Sequence, residues 1–233
     1  MSEPQFPPLM YGEEASAGAF DHAMMRAVQG CDAGMVSHRL SSDDLDAALV
    51  FAPEVPLERA VAMLPLCGVG LQNALGTLAP PEVAVHLEWT GGLRVNGAKC
   101  GFMRIASSSQ EPAEMPDWLV VGFTLPLLPK GDGAGGETPE ETTLYAEGCA
   151  DVSAPELLSA WARHTLNWTR RWEEEGNAPL HAEWQGLAHG IGEAVEIEGQ
   201  HGTFLGVDEN FGMLLRDDQD TRLIPLTDRL ESL

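Results

Sequence analysis

Basic residues are scarce in this 233-residue chain: 13 Lys and Arg stand against 36 Asp and Glu, a formal net charge of −23. Nucleic-acid affinity depends on neutralising phosphates, so DNA and RNA are not expected ligands. Long apolar runs are missing too. No stretch of 18 consecutive apolar residues occurs, so no membrane span is expected. The opening MSEPQFPPLMYGEE has no basic n-region of the secretory kind, and the expected location is the cytoplasm. Cys31, Cys67, Cys100 and Cys149 form no Cys-x-x-Cys pair, which argues against a disulfide framework or a zinc site and for buried free thiols. The seven histidines show no metal-ligand spacing, and no metal site is expected.

One more absence points the other way. From Thr90 to Gln110 there is no Asp or Glu, while Arg94, Lys99 and Arg104 all fall inside that window. A positive island beside Gly91-Gly92 and Asn96-Gly97 is where an anion could sit. Asn-Gly marks a two-residue hairpin, because both central residues of a type I′ turn need φ > 0. The spacing predicts a strand over Val83–Trp89, then this hairpin. Side-chain alternation predicts Lys99, Gly101 and Met103 on one face, with Cys100, Phe102 and Arg104 on the other.

Around this stretch, residues 1–14 read as an extended lead-in, and a helix capped at Ser16 runs to a stop at Gly30. Gly34–Arg39 and Ala47–Ala52 read as two strands, paired with one another. Leu57–Leu78 reads as a buried core helix kinked at Pro65, its small residues allowing close approach to a sheet. Trp118–Leu128 is apolar on both faces, as in a strand covered on both sides. Residues 129–142 form a Gly-, Pro- and acid-rich loop of the length of an active-site lid, though a plain surface connection is the better reading. A helix starts at Ser153 and ends at Gly176, with a shorter one over Pro179–Leu187. Beyond a boundary near 189, Ala194–Glu198, Gly202–Val207, Gly212–Arg216 and Thr221–Pro225 have the even spacing of a small β-barrel. The fold class is α+β, a mixed sheet with packed helices (1–188) followed by that barrel (189–233).

With Trp89, Val95-Asn96-Gly97, Lys99, Gly101, the strand VVGFTLPLL and the segment Thr142–Gly148 in this order, the chain resembles the biotin–protein ligase family of the biotin/lipoate ligase superfamily. The likeness spans nearly the whole chain, and it implies an SH3-like barrel at the end. Members join biotin to AMP from ATP, with magnesium, and pass the acyl group to a lysine of a carrier domain. The resemblance therefore implies a biotin-like carboxylic acid as substrate and no tightly bound cofactor. Lys99 becomes the catalytic lysine, with Trp89, Gly91, Gly92, Arg94, Asn96, Gly101, Arg104 and Gly122 as substrate-binding candidates. The chain also departs from the family. The Gly/Arg-rich biotin loop has no counterpart where Leu40–Asp46 reads LSSDDLD, only Trp89 remains of K-W-P-N-D, and Lys99 is one residue nearer Gly101 than K-x-x-G. Charge-assisted contacts are worth about 1.5–3 kcal/mol each, so losing two or three weakens an acyl-adenylate by roughly 10²–10⁶. No helix-turn-helix implies a repressor role. Two alternatives stay open: a catalytically degenerate module that binds a small acid or a protein, and an octanoyl/lipoyl transferase using Lys99 and Cys149.

Overall fold

The computed structural model describes residues 3–129, 140–197 and 199–231. Most of the loop expected over 129–142 lies outside the described residues, as does Glu198. A seven-stranded mixed sheet forms the body, in the order β1 (Tyr11–Glu14), β2 (Met35–Leu40), β3 (Asp44–Phe51), β7 (Leu119–Pro126), β6 (Ala98–Ser107), β5 (Gly92–Val95), β4 (Val85–Leu87). All neighbours are antiparallel except β1 and β2. The lead-in thus contributes an edge strand that its polar YGEE sequence gave no reason to expect.

Alternation along β3 and β7 sorts side chains to two faces. Leu45, Ala47, Leu49, Val121, Phe123 and Leu125 join the larger core with helices α3 (Met63–Leu78) and α4 (Ala154–Glu175). Ala48, Val50, Val120 and Ala106 join a smaller core under helix α1 (Ala19–Val28), with Phe20, Ala23 and Ala27. The larger side is anchored by Trp161, fully buried, its Nε1 donating to the Cys67 carbonyl at 3.1 Å and its ring edge-on to Phe123 at 4.9 Å. Close helix approach needs Gly70, where a Cβ would stand 2.6 Å from Thr165 Oγ1.

Two expectations are corrected in detail. The apolar 57–78 stretch is not one kinked helix but α2 (Leu57–Ala60), a break at Val61-Ala62, and α3. Pro65 falls in the first turn of α3, where a backbone donor has no helical partner to lose. By length and composition this stretch could cross a membrane, yet 72% of its apolar 18-residue window is buried inside the fold. Helix α1 starts at Ala19 rather than behind Ser16, with Gly18 as N-cap and no capping side chain of its own turn.

After α5 (Asn177–Leu187), a four-stranded antiparallel sheet follows in the order β11 (Thr221–Ile224), β10 (Met213–Arg216), β9 (Gln200–Val207), β8 (Ala194–Ile197). Its Phe204, Phe211, Met213, Leu215 and Ile224 share the larger core with the main sheet.

Candidate ligand face

The expected turn forms, with Asn96 at φ 50° and Gly97 at φ 91° joining β5 to β6. Beyond the turn, β6 departs from simple alternation. The β5–β6 register shifts between Gly92↔Phe102 and Arg94↔Lys99, and Gly101 adopts φ 109°. This bulge resets which way the strand's side chains point. Cys100 is buried in the larger core with Met103 and Ile105. Lys99, opposite Arg94, therefore lies on the other face, together with Phe102 (opposite Thr124) and Arg104 (opposite Gly122). The expected split of Lys99 from Phe102 and Arg104 is overturned: the three share one face.

Of Arg94, Lys99 and Arg104, Lys99 alone has no side-chain partner among the described residues. Arg94 donates from Nε to Glu88 at 2.5 Å and from Nη1 to the Gly97 carbonyl at 2.6 Å. Arg104 is held by Glu231 through Nε and Nη2 at 2.6 and 2.5 Å, approaches Asp21 at 3.7 Å, and stacks on Phe20 at 4.3 Å. Lys99, one of two lysines in the chain, is exposed and has no side-chain partner among the described residues. Its backbone is fixed instead: Lys99 N–H donates to the Glu140 carbonyl and Thr142 N–H to the Lys99 carbonyl, both at 2.8 Å. Thr142 and Asn96 then bond the two Glu147 oxygens at 2.6 and 2.9 Å, tying the Thr142–Gly148 segment to the hairpin.

Across Thr124 from Phe102, on β3, lies a carboxylate the sequence did not single out. Asp46, 6% exposed, accepts from the Ala19 N–H at 2.8 Å and the Thr124 hydroxyl at 3.2 Å, with Arg39 Nε at 3.9 Å. An acid delivered from the sheet thus satisfies the first turn of α1 and its positive end. Over Gly122 the space belongs to Phe20, since a Cβ there would stand 2.7 Å from Phe20 Cδ2. An Asp one residue inside the apolar run of β3, past Asp43 and Asp44, was the available signal for Asp46. Phe102, apolar and 48% exposed on a central strand, had no such signal.

Several expected binding residues also have partners within the fold. Trp89 is buried, and its Nε1 donates to the Phe211 carbonyl at 2.8 Å, bridging the main sheet to the small one. Gly91, at φ 95°, takes the Met103 N–H on its carbonyl at 2.7 Å, and a Cβ would lie 2.6 Å from Met103 O. Gly92 lies against the Glu88 side chain. Both ends of the Asn96 amide are used, by the Ala84 N–H and by Glu147. Cys149 is buried in the larger core with Cys100, away from the face of Lys99, and burial followed by Glu147 pushes its thiol up. An acyl-accepting cysteine needs the opposite. All four cysteines are free thiols. A groove of about 720 Å³ lies elsewhere, between Phe51, Arg59, Met63 and Trp172, and touches none of these residues.

A model of the biotin/lipoate A/B protein ligase family matches residues 6–186. The chain belongs to this family. Residues 191–232 match a domain of unknown function, DUF4444. A biotin–[acetyl-CoA-carboxylase] ligase of Paracoccus denitrificans is 25% identical over 182 residues, 76% of this chain and 75% of that protein. Among solved structures, a biotin protein ligase-like protein of unknown function from Silicibacter sp. TM1040 superposes with a TM-score of 0.93 at 62% identity, covering 98% and 100% of the two chains. The biotin protein ligase of Aquifex aeolicus in complex with biotin and ATP shares the fold at a TM-score of 0.70 and 17% identity, over 93% and 95%.

Proposed function

We propose that this protein activates a carboxylic acid with ATP and transfers the acyl group to a lysine of a carrier domain. The observation that carries this reading is Lys99, an exposed cation fixed by its backbone and without a side-chain partner among the described residues. In the first step the acid's carboxylate oxygen attacks the α-phosphorus, the bond to pyrophosphate breaks, and an acyl-adenylate forms. Two anions must meet for this. A positive charge placed between them stabilises the charge that grows in the transition state. In the second step the carrier's amine attacks the acyl carbonyl and AMP leaves.

The relatives' names fit this reading: one joins biotin to acetyl-CoA carboxylase, another was solved with biotin and ATP. Among the described residues no three His, Cys, Asp or Glu cluster to hold a metal. Magnesium would then arrive on the nucleotide's phosphates, keeping several waters. Residues 1–188 would carry the reaction, with 189–233 as the small SH3-like unit, and the need for ATP fits a cytoplasmic location.

A second reading, a module that holds the acid without activating it, draws on the pairing of Arg94 with Glu88 and of Arg104 with Glu231. Incubation with ATP and biotin, lipoate or octanoate, followed by mass spectrometry, separates the two. An acyl-adenylate with release of pyrophosphate is the expected product. An acid that shifts the melting temperature without ever yielding an adenylate would leave the binding module.

A further inference from the structure

Arg104 already holds a carboxylate. Its Nε–Nη2 fork grips both Glu231 oxygens, the bidentate geometry in which arginine recognises a carboxylate. Glu231 reaches this face because Leu230 bridges to Ile105 in parallel and the Glu231 N–H donates to the Ile105 carbonyl at 2.9 Å. This attachment uses an edge of β6 that β5 leaves open beyond Phe102.

Three features line up on that face of β6. Lys99, without a side-chain partner among the described residues, stands at one end, Arg104 is a carboxylate-gripping cation at the other, and Phe102 is an exposed apolar ring between them. At about 3.3 Å per residue, with one position absorbed by the bulge, the two basic residues are roughly 13 Å apart along the strand. A substrate with one anionic end uses only Lys99. We infer that the site selects a medium-length α,ω-dicarboxylic acid. One carboxylate sits at Lys99, the hydrocarbon chain crosses Phe102, and the second carboxylate takes the place of Glu231 on Arg104. Glu231 is then the internal stand-in that the substrate displaces. The remote group is a carboxylate rather than a phosphate. Asp21 lies 3.7 Å from Arg104, and Asp46 lies near enough to act on its charge. A dianion would be repelled there more than a single carboxylate that reproduces the existing fork.

The inference rests on the proposed function for the role of the Lys99 end, but the Arg104 end can be tested without catalysis. Calorimetry would compare octanedioate, decanedioate and octanoate binding to the full chain and to Glu231→Gln and Arg104→Ala variants. Glu231→Gln is expected to bind a diacid about tenfold more tightly and octanoate unchanged. Arg104→Ala is expected to lose the preference for diacid over octanoate. Equal affinity of wild type and Glu231→Gln for every diacid would overturn the inference, as would equal tightening toward octanoate. If Glu231→Gln weakens folding, Arg104→Ala alone decides through the diacid-to-octanoate ratio. Diacid preference without any adenylate would sink the activating function and keep this site. Adenylate formation from octanoate with no diacid preference would do the reverse.

Discussion

Gly101 passes so close to Thr124 that a Cβ would stand 2.3 Å from the Thr124 carbonyl oxygen, and its φ of 109° suits glycine alone. This contact lets the bulge form, and the bulge puts Lys99 on the face of Phe102 and Arg104. Gly101→Ala is expected to cost about 2–3 kcal/mol, from backbone strain of about 1–3 kcal/mol with the clash added. A urea midpoint within experimental error of wild type would show that the bulge is not needed.

Lys99 has no structural partner among the described residues, so its removal should cost no stability. Lys99→Ala is expected to abolish adenylate formation with the melting temperature unchanged. Lys99→Arg should retain part of the rate, because charge is kept while the compact ammonium is not. Wild-type adenylate yield from Lys99→Ala would end the catalytic assignment.

Asp46 caps α1 from a different element, so its loss should behave as loss of a helix cap. Asp46→Ala is expected to destabilise by about 1–2 kcal/mol, and Asp46→Asn by less, since the amide oxygen can still accept from Ala19. Denaturant titration of both variants checks the order.

Much of the architecture was legible because periodicity records burial. The β5–β6 turn, β7 and α4 are each written in turn residues or apolar spacing. The site was legible only in part. Asn96-Gly97 and the acid-free window located the hairpin, but alternation misassigned its faces, because a one-residue bulge inverts the pattern and Gly101 alone cannot announce it. The window also carries no sign of the ion pairs that two of its cations make. Arg94 and Arg104 find Glu88 and Glu231, and Glu231 lies 127 residues away from Arg104. Trp89 shows the same limit, since its partner Phe211 is 122 residues distant.

That Trp89–Phe211 bond couples the two sheets. Trp89→Phe keeps most of the apolar area and leaves the Phe211 carbonyl without its donor, for an expected loss of about 1–2 kcal/mol. Trp89→Ala adds a cavity and is expected to cost about 3–5 kcal/mol. Hydrogen exchange should rise first in β9 and β10 of the Ala variant. Unchanged protection there would mean that the small sheet is held by other contacts.

The cysteines give a pH-dependence with a definite sign. Burial pushes the Cys100 thiol up to about 12 and raises Cys67 and Cys149 as well. Below the ordinary thiol value near 9, folded and unfolded chains both keep these protons and stability is unaffected. As pH rises from 9 toward 12 the unfolded chain releases protons that the folded chain retains, so stability falls. The urea midpoint should therefore drop between pH 8.5 and 10.5, and drop less in Cys100→Ala measured against its own value at pH 8.5. The same burial gives a test of the transferase alternative. With iodoacetamide at pH 8, Cys31, half-buried, should react while Cys67, Cys100 and Cys149 stay unmodified until urea is added. Rapid labelling of native Cys149 would show a thiolate within reach and reopen acyl transfer through that residue.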